Sequence, residues 1–75
     1  MQLQLERQCF VTAELITPLG EKLKTLSQGN FSEGTHTIEV NAEGFRSGVY
    51  FVRFIISDAV RQNKSVEIRK AVLLK

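Results

Sequence analysis

The 75-residue sequence is poor in the residues that build chemistry, with one cysteine, one histidine, one proline and no tryptophan. The single cysteine, Cys9, excludes a disulfide within the chain and any Cys-x-x-Cys metal or redox site. A zinc site needs three or four ligands, which one histidine, one cysteine and scattered carboxylates do not supply. The sequence also lacks any apolar run near the roughly 20 residues of a membrane-spanning helix. Because the ligands for such groups are lacking, we expect no metal and no cofactor.

A strong excess of charge is missing too. Ten Lys and Arg residues against eight Asp and Glu residues give a net charge of +2, too small to indicate a nucleic-acid-binding protein. A hydrolase needs a nucleophile and a base held by a third group. His36 lies in the alternating segment 35–41, beside Ile38 and Val40, which favours a structural imidazole at a sheet edge. A catalytic carboxylate pair stays open on sequence grounds, but the expectation is a protein that is not an enzyme.

Apolar and polar residues alternate with a period of two along much of the sequence, which is the pattern of half-buried strands. Leu3 alternates with polar neighbours, and the odd positions from Cys9 to Leu15 form one apolar face. The strongest strand opens at Gly48 and is apolar on both faces apart from Arg53, as expected of a central strand. The last strand carries alternating apolar residues towards the end of the sequence.

Turn signals separate these segments about every ten residues. Thr17-Pro18-Leu19-Gly20 predicts a type I turn with a bulge at the glycine, followed by a strand that is either bulged or twisted across an edge. The polar residues 27–34 are predicted to form a loop whose Phe31 plugs the core. A hairpin tip is expected near residues 62–64. Together these features predict a single domain, residues 1–75, folded as an all-β, immunoglobulin-like antiparallel sandwich of about seven short strands.

Tyr50 has a specific structural meaning in such a fold. In immunoglobulin-like sandwiches, a tyrosine near the start of a strand can donate its hydroxyl to the backbone of the preceding corner. The run from Phe45 to Tyr50 fits this arrangement. We therefore predict that the hydroxyl fixes the loop while the ring packs on the core.

Four runs of residues, taken in order, resemble a known family. They are Leu19-Gly20-Glu21-Lys22-Leu23, Gly34-x-His36-x-Ile38, Phe45-Arg46-Ser47-Gly48-Val49-Tyr50-Phe51-Val52-Arg53 and Arg69-Lys70-Ala71-Val72-Leu73-Leu74-Lys75. Their order resembles the type A C-terminal sorting domain of cargo proteins of the type IX secretion system in Bacteroidetes. It is also similar to the related immunoglobulin-like domain of hook-capping proteins. The residues that carry the structural motif are Gly20, Gly34, Gly48, Tyr50 and Arg53, whereas Thr17 replaces the family's usual Asp or Asn.

This resemblance implies a secretion signal attached to an upstream cargo domain. The type IX outer-membrane translocon would recognise it, and a sortase-like cysteine peptidase would remove it at the surface. Its location would be the periplasm in transit, then the cell surface or the medium. The residues implied in recognition are Arg69, Lys70, Val72, Leu74 and Lys75, in a terminal strand that can add to the edge of a receptor sheet. A structural or carbohydrate-associated module of the same fold remains the alternative, and a homodimer through an exposed strand edge also stays open.

Overall fold

The computed structural model describes residues 1–41 and 43–74, and its regular structure is entirely β. The strands are β1 (Gln2–Leu5), β2 (Cys9–Ile16), β3 (Lys22–Phe31), β4 (Gly34–Thr37), β5 (Gly48–Asp58) and β6 (Asn63–Leu73). Strands β1 and β4 form a two-stranded sheet, and the other four form a sheet in the order β3-β2-β5-β6. All pairings are antiparallel, and the two sheets share one core. The predicted all-β sandwich is confirmed, with six strands in the described residues where about seven were expected.

Strands β2 and β5 are the interior strands of the larger sheet and carry the centre of the core. Because successive side chains of a strand point to opposite faces, the odd positions of β2 share one face. All four are buried, as the alternation predicts: Cys9, Val11, Ala13 and Leu15. Val52 and Phe54 stand beside them on β5 and are fully buried. The central position predicted for β5 is therefore confirmed.

The small sheet covers this inner face with the alternating residues of β1. Leu3 and Leu5 are buried and belong to the same apolar cluster. The strand expected over residues 35–41 is shorter than predicted, since β4 ends at Thr37. Ile38 still extends the pairing, because its N–H donates to the Met1 carbonyl at 2.7 Å and its carbonyl accepts from the Met1 nitrogen at 3.1 Å.

The turn between β2 and β3 has the predicted geometry. The Gly20 N–H donates to the Thr17 carbonyl, the Thr17 N–H donates to the Glu21 carbonyl, both at 2.9 Å, and Gly20 has a φ of 87°. This is a type I turn followed by a glycine bulge. The Thr17 hydroxyl accepts from the Leu19 N–H at 3.3 Å and from the Glu21 N–H at 3.1 Å. Threonine thus provides the side-chain acceptor that Asp or Asn would supply in such a turn.

The loop predicted over residues 27–34 is largely wrong, because β3 continues to Phe31. Glycine and asparagine in this stretch indicated a loop, but its backbone pairs with β2 along the whole length of that strand. Phe31 does pack against the core, as expected. Of the two alternatives for the first half of β3, the bulged strand is confirmed, because the register skips Leu26 and Leu23.

The hairpin between β5 and β6 has its tip at residues 59–62, slightly before the predicted 62–64. Asp58 explains the difference. Its buried carboxylate accepts from the backbone N–H groups of Val60 at 3.1 Å and Arg61 at 3.3 Å. Because the Asp58 side chain accepts from the N–H groups of the turn, β5 and β6 can remain paired up to Asp58 and Asn63.

Tyr50 forms the predicted corner. Its hydroxyl donates to the Arg46 carbonyl at 2.8 Å, and its ring meets Phe45 edge-on, with centroids 6.4 Å apart. Gly48, two residues earlier, is the first residue of β5. The segment before β5 is therefore anchored to the strand that it enters.

Replacing Tyr50 with Phe removes this hydrogen bond and leaves the ring in place. We expect Tyr50→Phe to lower the free energy of unfolding by about 1 kcal/mol, measured by urea denaturation. The exposed Val49→Ala beside it serves as a control that leaves the bond intact. A Tyr50→Phe protein as stable as the parent would contradict the structural role of the hydroxyl.

Candidate recognition surface

Strand β6 lies at one edge of the four-stranded sheet. It pairs with β5 from Asn63 to Leu73 with no shift of register. Among residues 1–41 and 43–74, no strand pairs with its other side. Its outward N–H and C=O groups are therefore open to another strand.

The two faces of β6 differ in what they contact. Ala71 and Leu73 are buried against the core, and Arg69 precedes them on the same side. The opposite side is exposed and mostly apolar. Val66, Ile68 and Val72 on this side have 57%, 55% and 54% of their surface accessible. Side chains of this kind are more usual in an interface than in open solvent.

The neighbouring strand β5 continues this apolar area. The register sets Val49 beside Val72, Phe51 beside Lys70 and Ile55 beside Val66. We call the following six side chains the outer apolar surface: Val49, Phe51, Ile55, Val66, Ile68 and Val72. The outer apolar surface lies on the side of the sheet away from β1 and β4.

Arg69, one of the predicted recognition residues, is partly exposed, and its guanidinium is held by contacts within the chain. Its Nε and Nη2 donate to Glu67 Oε1 at 3.0 and 2.9 Å, and its Nη1 donates to the Gln2 carbonyl. Its Cζ lies 5.4 Å from the centroid of the Phe54 ring. Since Gln2 belongs to β1, Arg69 ties the small sheet to the edge of the large one.

The other predicted recognition residues are placed differently. Val72 is an exposed member of the outer apolar surface, Lys70 is exposed beside it, and Leu74 follows the end of β6 with 84% of its surface accessible. Lys75 lies outside the described residues. Of the four predicted residues that the structure describes, Arg69 is held by contacts within the chain and the other three are open to solvent.

This division predicts different costs for two neighbouring substitutions. Arg69→Met should lower the free energy of unfolding by about 1–2 kcal/mol, because it removes the partly exposed hydrogen bonds to Glu67 and to the Gln2 carbonyl and a cation–π contact. Lys70→Met, on the exposed side of the same strand, should leave it nearly unchanged. Chemical denaturation of both variants checks this. Equal costs for the two would contradict the inward role of Arg69.

A buried charge group lies beside the outer apolar surface, and sequence reasoning did not find it. Glu14 in β2 is only 7% exposed. Arg53 donates to its Oε1 from Nε at 2.9 Å and from Nη2 at 2.8 Å, and Lys22 Nζ lies 3.5 Å from its Oε2. The register sets Glu14 directly opposite Arg53. The sequence did contain a signal for this group. Glu14 and Arg53 have opposite charges, and each lies within a segment that was predicted to be a strand.

Removing one partner from this group leaves a charge with little access to water. Arg53→Leu should therefore lower the free energy of unfolding by about 2 kcal/mol. The double variant Glu14→Leu with Arg53→Leu should cost less than Arg53→Leu alone, because no carboxylate is left buried. Denaturation in urea measures both. A double variant less stable than the single one would contradict this account.

His36 and Cys9, the residue types most often used in catalysis or metal binding, both contact other parts of the fold. His36 Nε2 donates to the Ser32 carbonyl at 2.7 Å, and its ring lies 5.0 Å from that of Phe31. Cys9 is buried on the inner face of β2. Two surface pockets, of about 240 and 260 Å³, fall below the usual size of ligand pockets, about 300–1,000 Å³. Within the described part of the chain, no three His, Cys, Asp or Glu side chains are grouped to hold a metal ion.

Comparison with protein-family models, with curated proteins and with solved structures finds no match. In residues 1–41 and 43–74 no helix is long and apolar enough to cross a membrane. The geometry of strand β6 and of the outer apolar surface is therefore the basis for assigning a function.

Proposed function

We propose that the chain is a non-catalytic sorting domain of the type IX secretion system, recognised through strand β6. The observation that carries this proposal is the open edge of β6, with Lys70 and Val72 exposed along it. The proposal joins this edge to the sequence resemblance, whose last run, residues 69–75, begins in the same strand. The outer-membrane translocon would read the strand, and a sortase-like cysteine peptidase would remove the domain at the cell surface.

Edge addition is the mode of recognition that this geometry favours. A receptor strand laid along β6 would form backbone hydrogen bonds that contribute affinity, and alternate side chains would contribute specificity. On the exposed side, Lys70 would attract an acidic group of the receptor and Val72 would fill an apolar pocket. Leu74, beyond the strand, would extend the contact.

Arg69 has an indirect part in this proposal. Its contacts with Phe54 and with the Gln2 carbonyl hold β6 on the sandwich. It is therefore a positioning residue, and it keeps the recognised edge straight while its neighbours face the receptor. An upstream cargo domain would travel with the signal through the periplasm to the cell surface or the medium.

A fusion experiment tests the proposal. Residues 1–75 are joined to the C-terminus of a periplasmic reporter in a strain with a working type IX system. We expect the reporter to reach the surface or the medium, and deletion of residues 70–75 to keep it in the periplasm. Immunoblots of cell fractions measure the distribution.

A matched pair of variants separates recognition from folding. Val72→Asp introduces a charge on the recognised edge, and Val60→Asp introduces the same charge at the hairpin tip, where valine is 95% exposed. Both proteins should melt close to the parent, but only Val72→Asp should lose export. A parent fusion that stays in the periplasm would overturn the proposal and favour the structural-module alternative. Equal export of the two variants would overturn the role of β6.

A further inference from the structure

The two edges of the large sheet are built differently. Strand β3, at one edge, has two shifts of register. Bulges are a usual means by which a sheet edge avoids pairing with another chain. Strand β6, at the other edge, pairs in register over eleven residues and contains neither proline nor glycine. Only the second edge is shaped to accept a full-length strand.

The sequence of β6 is complementary to itself when read in the opposite direction. In a two-fold antiparallel pair centred on Ile68, Asn63 faces Leu73 of the second copy, so the whole strand is paired without overhang. Glu67 then faces Arg69 of the second copy, so the ion pair that these two side chains form within each chain becomes part of a group of four alternating charges. Opposite charges directly across an antiparallel pair stabilise it.

Neighbouring registers lack this match. Centring the pair on Glu67 places the two Glu67 carboxylates against each other, and Lys64 against Lys70. Centring it on Arg69 opposes the two Arg69 guanidinium groups. Like charges directly opposite are destabilising, so the charge pattern selects the register centred on Ile68.

The alternative contact between two copies would stack their outer apolar surfaces face to face. That arrangement would bring Arg53 and Lys70 of each copy into one interface. Arg53 already shares the Glu14 carboxylate with Lys22, and Lys70 would be buried with no carboxylate partner shown. Burying unpaired positive charges is costly, so the edge is the favoured contact.

We propose that the chain forms a two-fold symmetric homodimer in which the β6 strands pair antiparallel about Ile68, joining two four-stranded sheets into one. The contact is a single strand wide, and small interfaces are typical of weak, reversible complexes. The dimer would cover the edge that the proposed function leaves open to a receptor. It does not depend on that function, because its evidence is the self-complementary charge order of the strand.

Disulfide trapping tests the register. In a Cys9→Ala background, Ile68→Cys places two thiols across the symmetry axis, where Cα atoms lie about 4.5–5.5 Å apart and a disulfide can form. Val66→Cys, equally exposed on the same side, places its two thiols about 14 Å apart along the strands. We expect covalent dimers from Ile68→Cys and almost none from Val66→Cys under mild oxidation. Equal trapping, or more from Val66→Cys, would overturn the proposal.

Sedimentation equilibrium on the unmodified chain provides the second measurement. We expect its mass to rise with concentration from 8.5 kDa towards twice that value. Ile68→Lys sets two lysines opposite each other and should weaken association about fivefold. Val49→Lys, on β5 and away from the edge, should not. A chain that stays monomeric up to millimolar concentration, or equal weakening by the two variants, would overturn the proposal whether or not the domain directs export.

Discussion

Burial of Leu3 and Leu5 against the inner face of the large sheet is the contact on which the rest of this structure depends. An isolated pair of short strands is marginally stable in water, so β1 and β4 persist only while that face covers Leu3 and Leu5. The large sheet needs the same contact, because without it the apolar face of β2 would be open to water. A chain of this length has little other core with which to replace it.

Two arginines, on opposite faces of the large sheet, add polar contacts to this apolar core. Arg53 holds the nearly buried Glu14 on the outer face, where Lys22 also approaches. Arg69 lies on the inner side and reaches the backbone of β1. One ties three strands of one sheet together, and the other ties the two sheets. Each is a long side chain whose position depends on neighbours distant in the sequence.

Much of the fold could be predicted because it follows from local chemistry. Period-two alternation identifies the buried face of β2. The turn that follows could be predicted because residues 17–20 include the proline and the glycine that it requires. What failed depended on distant partners. The stretch before Phe31 looks like a loop until β2 is laid beside it. The contacts of Arg69 could not be read from the sequence either, because both sides of β6 offer apolar residues and its partners include Phe54 on β5 and Gln2 on β1.

The strand order β3-β2-β5-β6 consists of two hairpins joined side by side. Each hairpin closes through a short turn, whereas the joint between them sets Val11 beside Ile56, far along the chain. Pairing between such distant segments makes all-β domains fold in about milliseconds to seconds, more slowly than helical ones. The core, and the face on which Leu3 rests, are complete only when the two hairpins pair along β2 and β5.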